Sequence, residues 1–240
     1  MTKNDNTARR NEPFSMRYDI DFQVKKCLAE LELYDEYVLK INGELTATEI
    51  NPDLDEKDPQ YVGHIRARLI QMDRITDDEE SILELFDSFD QYFHDIYGEL
   101  FDPESDGFTE TLQRQFLELN AGSNVLLTDK VEVLPAFRGK RIGLAAVHRI
   151  IDVFGAWNSL VIMPIYPPQF HEYRDNTEWK EKMLTDTFVK DEDAARARLQ
   201  QYWSILGFEL IWDSRYICAL CTNNKYPSIH EVCPDLKLGL

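Results

Sequence analysis

The sequence predicts a mixed α/β fold of the α+β kind: a mostly antiparallel central sheet flanked by helices, with an insertion ahead of the last helix. Three observations carry this. Most of the first 75 residues alternate apolar and polar side chains, the period-two mark of half-buried strands. Residues 124–165 read as strand, glycine-bearing basic turn, helix and strand. Residues 191–220 read as a helix followed by two short strands. With 240 residues, 43% of them apolar and 12% aromatic, the chain can bury one large core. No internal repeat or low-complexity linker divides it, so residues 1–240 are read as a single domain. Within it, strands and an acidic helix occupy 14–120, the core lies in 124–220, and 164–193 is the insertion.

The elements follow in order. Met16–Val24 alternates and reads as the first strand. Tyr37–Ile41, the dipeptide Asn42-Gly43 and Glu44–Ile50 read as a hairpin, because Asn-Gly accepts the positive φ angles of a type I′ turn. Asn51–Gln60 is a polar loop and Val62–Met72 another strand. Ile82, Leu85, Phe86, Phe89, Phe93, Ile96 and Tyr97 recur at helical spacing and predict one helix, with Thr76 and Glu79 as its capping box. Thr109–Leu119 is a second, shorter helix. Val125–Val133 is a strand stopped by Pro135, since proline cannot donate to a ladder. Ile142–Phe154 is a helix with Gly155 as its C-cap and His148 as packing, and Ser159–Ile165 is a buried strand. A short helix near 178–188 falls in the insertion. Asp191 caps the last helix, which ends in Leu206-Gly207-Phe208; Phe208–Trp212 and Tyr216–Leu220 form a terminal antiparallel pair.

Charge narrows the function. Forty-four acids against 26 bases leave a net charge of −18. Binders of nucleic acid or anionic membranes carry basic footprints, so neither partner is expected. No apolar run approaches the roughly 18 residues of a membrane helix, and the N-terminal MTKNDNTARRNEP lacks the apolar centre of a signal peptide. The expected compartment is the cytoplasm. Asp73–Asp106 holds 13 acids and one base. That stretch reads either as a solvated face over a core stripe or as an acidic wall beside a cationic substrate. Cysteines 27, 218, 221 and 233 do not make a disulfide framework in a chain this long. Cys218, Cys221, His230 and Cys233 are zinc-type ligands, but the short gap between the pairs and the apolar strand around Cys218 favour core packing. No metal is expected.

The turn Phe137–Gly143 puts Arg138, Lys140 and Arg141 within four residues of an otherwise acidic chain. At a helix start, successive backbone N–H groups point outward and the dipole favours negative charge, so a phosphate is the expected ligand. There is no G-x-x-x-x-G-K-[ST] and no G-x-G, which excludes a Walker loop and the dinucleotide fingerprint.

The strand end Val131-Glu-Val133-Leu-Pro135, the loop Arg138-Gly-Lys-Arg141-Ile-Gly143 and the Leu206-Gly207-Phe208 junction resemble the GCN5-related N-acetyltransferase family. Its signature is V-x-V-x-P followed by [QR]-x-x-G-x-[GA]; Arg141 replaces one signature glycine. The resemblance covers about 124–165 and 194–220 and is topological only before that. It implies an acetyl-CoA-dependent N-acetyltransferase acting on a primary amine, a small molecule or peptide, with the 73–106 acidity suggesting a cationic one. It also implies that the pantetheine arm of acetyl-CoA pairs with the backbone of Val131, Glu132 and Val133. The pyrophosphate would then rest on the amides of Arg138, Gly139, Lys140, Arg141, Ile142 and Gly143.

An alkyl amine has a pKa near ~10 and must lose a proton before it attacks a thioester. Period two puts Leu127, Asp129, Val131 and Val133 on one face of the strand and Lys130 and Glu132 on the other. The resemblance implies Asp129 or Glu132 as the base; an exposed strand charge is the plain alternative for each. The family's acidic tyrosine stands where Trp203 is, and indole cannot serve. Tyr202, about 100° round the helix, is the candidate acid, and otherwise a core aromatic. The insertion holds Tyr166, Phe170, His171, Tyr173 and Trp179, and reads either as a substrate wall or as homodimer packing. The alternative function is a catalytically silent acetyl-CoA binder acting as a regulator or interaction module, which Trp203 and Arg141 favour.

Overall fold

The computed structural model describes residues 15–26, 34–50, 57–89, 91–120, 122–155, 159–171, 173–212 and 214–236. Cys27, the polar segment 51–56 and the N-terminal MTKNDNTARRNEP lie outside the described residues. The strands are β1 (Ser15–Lys25), β2 (Val38–Ile50), β3 (Gln60–Ile70), β4 (Phe101–Asp102), β5 (Gly107–Phe108), β6 (Asn124–Val133), β7 (Ser159–Pro164), β8 (Glu209–Leu210) and β9 (Ile217–Cys221). The α-helices are α1 (Met72–Asp77), α2 (Ile82–Asp87), α3 (Gln91–Leu100), α4 (Glu110–Gln115), α5 (Ile142–Phe154), α6 (Thr177–Lys182), α7 (Glu192–Ser204) and α8 (Ile229–Val232). No described helix is long and apolar enough to cross a membrane.

One seven-stranded sheet, ordered β1-β2-β3-β6-β7-β9-β8, organises the chain. Every neighbouring pair is antiparallel except β6–β7, which is parallel. The sheet carries a core on each face, so adjacent residues of the central strands serve different cores. Leu127 and Ile162 pack with Phe86, Phe93 and Leu100 on the α1–α4 side. Leu126 and Val161 pack with Ala146, Ile150 and Trp203 on the α5–α7 side. That double burial is why β6 and β7 begin as unbroken apolar runs.

The first strand, α5 with its Gly155 cap, β7 and α7 form as the sequence predicts, and the terminal strands pair antiparallel, the 208–212 one only over Glu209–Leu210. Asp191 caps α7 by accepting the Ala194 N–H at 2.8 Å. Several expectations are corrected. Asn42-Gly43 does not turn; β2 runs straight through it, paired to β1 and β3. Gly43 is there for closeness: a Cβ on it would meet Ile65 Cγ2 at 2.7 Å and Ile20 Cδ1 at 2.9 Å. The single acidic helix is three short ones. Glu79 takes φ 56°, which breaks the chain between α1 and α2, and Ser81, not Thr76, caps α2 by accepting the Glu84 N–H. The Thr76 hydroxyl instead donates to the Met72 carbonyl within α1. The 62–72 strand ends at Ile70, because Met72 opens α1. The helix expected at 109–119 is only Glu110–Gln115, capped by Thr109, and that near 178–188 is α6 followed by a single 3-10 turn. Cys218 and Cys221 point to opposite faces of β9, one into each core, so they cannot share a metal.

Candidate functional site

The ladder between β6 and β7 runs only from Asn124–Leu127 against Ser159–Ile162. Beyond it β6 continues alone on that side, still paired to β3 on the other through Gly63–Val133. The strands splay, and α7 and the insertion wall the gap. Two adjoining cavities result, of about 580 Å³ and about 490 Å³. They share Val131, Glu132, Pro168, Leu199 and Trp203.

A bulge sets which side chains enter. Arg66 pairs with Lys130 and Ala67 with Thr128, leaving Asp129 as the extra residue. It breaks the expected period: Leu127 belongs to the α1–α4 core, whereas Val131 and Val133 pack on the α5 side. Asp129 therefore does not share a face with Val131. It faces Arg68, Nε to Oδ2 3.3 Å, on the wall of the larger cavity. Lys130 and Glu132 do share a face, as period two requires, and pair at 2.9 Å.

Glu132 is the most connected group. Its Oε1 accepts the Trp179 indole N–H at 2.8 Å, and its Oε2 lies 3.6 Å from His64 Nδ1. His64 Nδ1 also contacts the Tyr61 hydroxyl at 3.1 Å. Burial is the main cause that pushes the His64 pKa down, and the cations Lys130, Arg66 and Lys182 add to it against the pull of Glu132. Trp179 stacks on Tyr173 at 4.3 Å, and the Lys130 ammonium sits 4.2 Å from the Tyr173 ring. Insertion residues thus hold the carboxylate, while His171 pairs with Glu192 at 3.0 Å.

The smaller cavity is lined by the two ends of the basic turn, Arg138 and Gly143. Gly143 lines it, and a Cβ there would come within 3.0 Å of the Tyr202 hydroxyl and 3.6 Å of Val131 Cγ1. Burial pushes the Tyr202 pKa up to about 12, with the Leu144 amide pulling the other way. Arg138 donates to the Val133 carbonyl at 3.1 Å and lies 4.7 Å from the Phe188 ring; burial lowers its pKa, opposed by Glu132. Gly139 takes φ 78° and Arg141 φ 60°, so the arginine keeps a left-handed backbone that glycine would favour. The Arg141 guanidinium reaches away to the Val232 carbonyl at 2.6 Å. The Lys140 ammonium lies 3.4 Å from the Tyr18 hydroxyl. Ile142, the first residue of α5, is buried in the α5-side core.

The structure therefore brings together Val131, Glu132, Val133, Arg138, Gly143 and Tyr202 around one cavity and puts Asp129 on the next. Lys140 and Arg141 line neither. Sequence reading missed His64, Arg66 and Arg68, which look like the solvent face of an alternating strand; it placed Trp179 in a candidate substrate wall but not its bond to a carboxylate 47 residues away. Of the acidic stretch, Asp95 lines the larger cavity; Asp77, Asp78 and Glu80 do not. Among the described residues no group of three or more His, Cys, Asp and Glu side chains is arranged to hold a metal. Comparison with family models, with curated proteins and with solved structures finds no match.

Proposed function

We propose that the protein is an acetyl-CoA-dependent N-acetyltransferase of the GCN5-related kind, acting on a primary amine. The observation that carries this reading is the splay of β6 from β7 beside the basic turn. It leaves the Val131–Val133 edge without a β7 partner among the described residues, next to a groove floored by Gly143. An extended ligand arm can add to such an edge by main-chain hydrogen bonds. The groove fits the group: bare Cα–H at Gly143, amides at the start of a 13-residue helix, and apolar walls from Met183, Phe188 and Leu199.

Acetyl-CoA supplies an acetyl group activated as a thioester. Val131 and Val133 would align it, and Arg138 with the amides at the start of α5 beside Gly143 would hold its phosphates. Glu132, on the wall common to both cavities, takes the proton of the amine; Trp179, Lys130 and His64 fix its two oxygens. Tyr202 remains protonated, because its pKa of about 12 lies well above that of a thiol, ~8.5. Full proton transfer from Tyr202 to the departing sulfur is therefore uphill, and its role is to donate a hydrogen bond.

Calorimetry with CoA tests the groove. Gly143→Val, whose Cβ alone would come within 3.0 Å of the Tyr202 hydroxyl, is expected to weaken binding tenfold or more. Gly98→Ala, with nothing within 4 Å of the added carbon, is the control. Gly155→Ala is unsuitable, since its Cβ would meet the Ile151 carbonyl oxygen at 2.7 Å. Acetyl-CoA turnover with a panel of amines tests the reaction, and Glu132→Gln is expected to lower kcat by about 10²–10⁴. A protein that binds CoA yet transfers nothing supports the silent-binder reading. One contact favours that reading: Arg138 occupies the Val133 carbonyl that an arm would use.

A further inference from the structure

The ladder registers sort the charges of one sheet face into rows. On the face turned toward α1–α4, Lys25, Lys40 and Arg68 stand side by side across β1, β2 and β3. One two-residue step along, Arg66 and Lys130 stand side by side on β3 and β6, with Asn42 and Gln23 continuing that row. One further step along, Asp21, Glu44, His64 and Glu132 form the next row. A chain of net charge −18 thus gathers five cations in two adjoining rows, next to the row that holds its candidate base. Arg66, Arg68 and Lys130 reach the larger cavity, and so does Glu132.

Two further observations bear on what the cavity holds. Its charged lining is balanced: Arg66, Arg68 and Lys130 against Asp95, Asp129 and Glu132. A site built for a polycation would be acidic throughout. The cavity opens on both sheet faces: Arg66 and Lys130 stand on the α1–α4 side, while Thr128, paired with Ala67 of the α5-side core, belongs to the other face.

We infer that the acceptor is an amine that also carries an anionic group, with the amine at Glu132 and the anion on the Arg66–Lys130 row. This rests on the acetyltransferase reading and replaces its cationic acceptor with a zwitterionic one. Adjacent rows are two strand residues apart, about 7 Å. The amine and carboxylate of extended 6-aminohexanoate stand about that far apart, which makes it the probe. Its carboxamide, 6-aminohexanamide, has the same amine and length without the charge, and spermidine is the polycation.

The test uses the full chain with CoA present and titrates each compound calorimetrically, then follows acetyl transfer from acetyl-CoA to each. The expected result is that 6-aminohexanoate binds at least tenfold tighter than its amide and than spermidine, and that Arg66→Gln erases the difference. Arg66 is exposed, so its replacement leaves the core intact. Raising the salt from low to physiological strength should weaken the acid far more than the amide. Equal binding of acid and amide, or preference for spermidine, overturns the inference even if transfer occurs. Selective binding of the acid without CoA binding or transfer upholds the anion site and defeats the acetyltransferase reading.

Discussion

Arg141 and Glu79 hold the same strained backbone, φ 60° and 56°, with opposite consequences. A left-handed L-residue costs about 1–2 kcal/mol. Arg141 offsets this through its guanidinium hydrogen bond to the Val232 carbonyl, a charged bond of the kind that contributes about 1.5–3 kcal/mol. Glu79 is exposed and sits beside Asp77, Asp78 and Glu80, so like charges add to its strain. Glu79→Asn, which tolerates this conformation and removes a charge, is expected to stabilise by about 1 kcal/mol. Arg141→Gly is expected to destabilise by about the same amount, since relief of strain does not replace the lost bond. Urea unfolding of both variants checks this; a more stable Arg141→Gly protein would mean that the Val232 contact is idle. The sequence exposes Arg141 as the residue that departs from the motif the loop resembles. What it does was not legible there, because its partner is 91 residues away. Glu132 was legible as a candidate from the family resemblance and its place on the strand together. His64 was not, because a polar residue on an alternating strand reads as solvated whether or not it meets a carboxylate.

Elements with strong local signals were legible: β1 alternates, α5 and α7 carry their own caps, and β7 is a continuous apolar run. Those that failed did so where a distant contact overruled a local preference. Asn-Gly prefers a turn, but at Asn42-Gly43 the neighbouring strands supply ladder partners on both sides, and Ile65 and Ile20 fill the space where a Cβ would be. The parity of β6 failed at Asp129 because a bulge is fixed by its partner strand, not by its own sequence. The role of Gly43 gives a direct check. Gly43→Ala is expected to destabilise by about 1–3 kcal/mol through overpacking. Gly98→Ala, in the interior of α3 with open space around it, is expected to stabilise by about 0.5–1 kcal/mol. Denaturant midpoints measured side by side decide it. A tolerated Gly43→Ala would show that β2 can shift, and that the register across β1–β3 is not held at this point.

Across the whole molecule the acidic stretch has a structural use. Tyr34 donates to Glu84 at 2.6 Å, Tyr37 to Asp78 at 3.1 Å and Tyr97 to Asp106 at 3.1 Å. Each phenol is pushed up to about 12: Tyr34 first by its hydrogen bond to Glu84, Tyr37 and Tyr97 first by burial. In the unfolded chain the same groups titrate near ~10. Between about pH 10 and 12 the folded state therefore keeps protons that the unfolded state releases, so stability falls as pH rises. The contribution is complete below about pH 10 and is lost through about pH 12. Each tyrosinate formed would also face a carboxylate in a protein already at −18, which acts in the same direction. Thermal unfolding should accordingly show a Tm that drops steeply above about pH 10. The double variant Tyr37→Phe and Tyr97→Phe should have a lower Tm at neutral pH, having lost two hydrogen bonds, and a shallower alkaline decline. Tyrosinate absorbance followed through the same range should lag behind that of free tyrosine until the protein unfolds. An alkaline decline of equal slope in wild type and variant would mean that these bonds do not couple the acidic helices to the core, and that the stretch is only a solvated face.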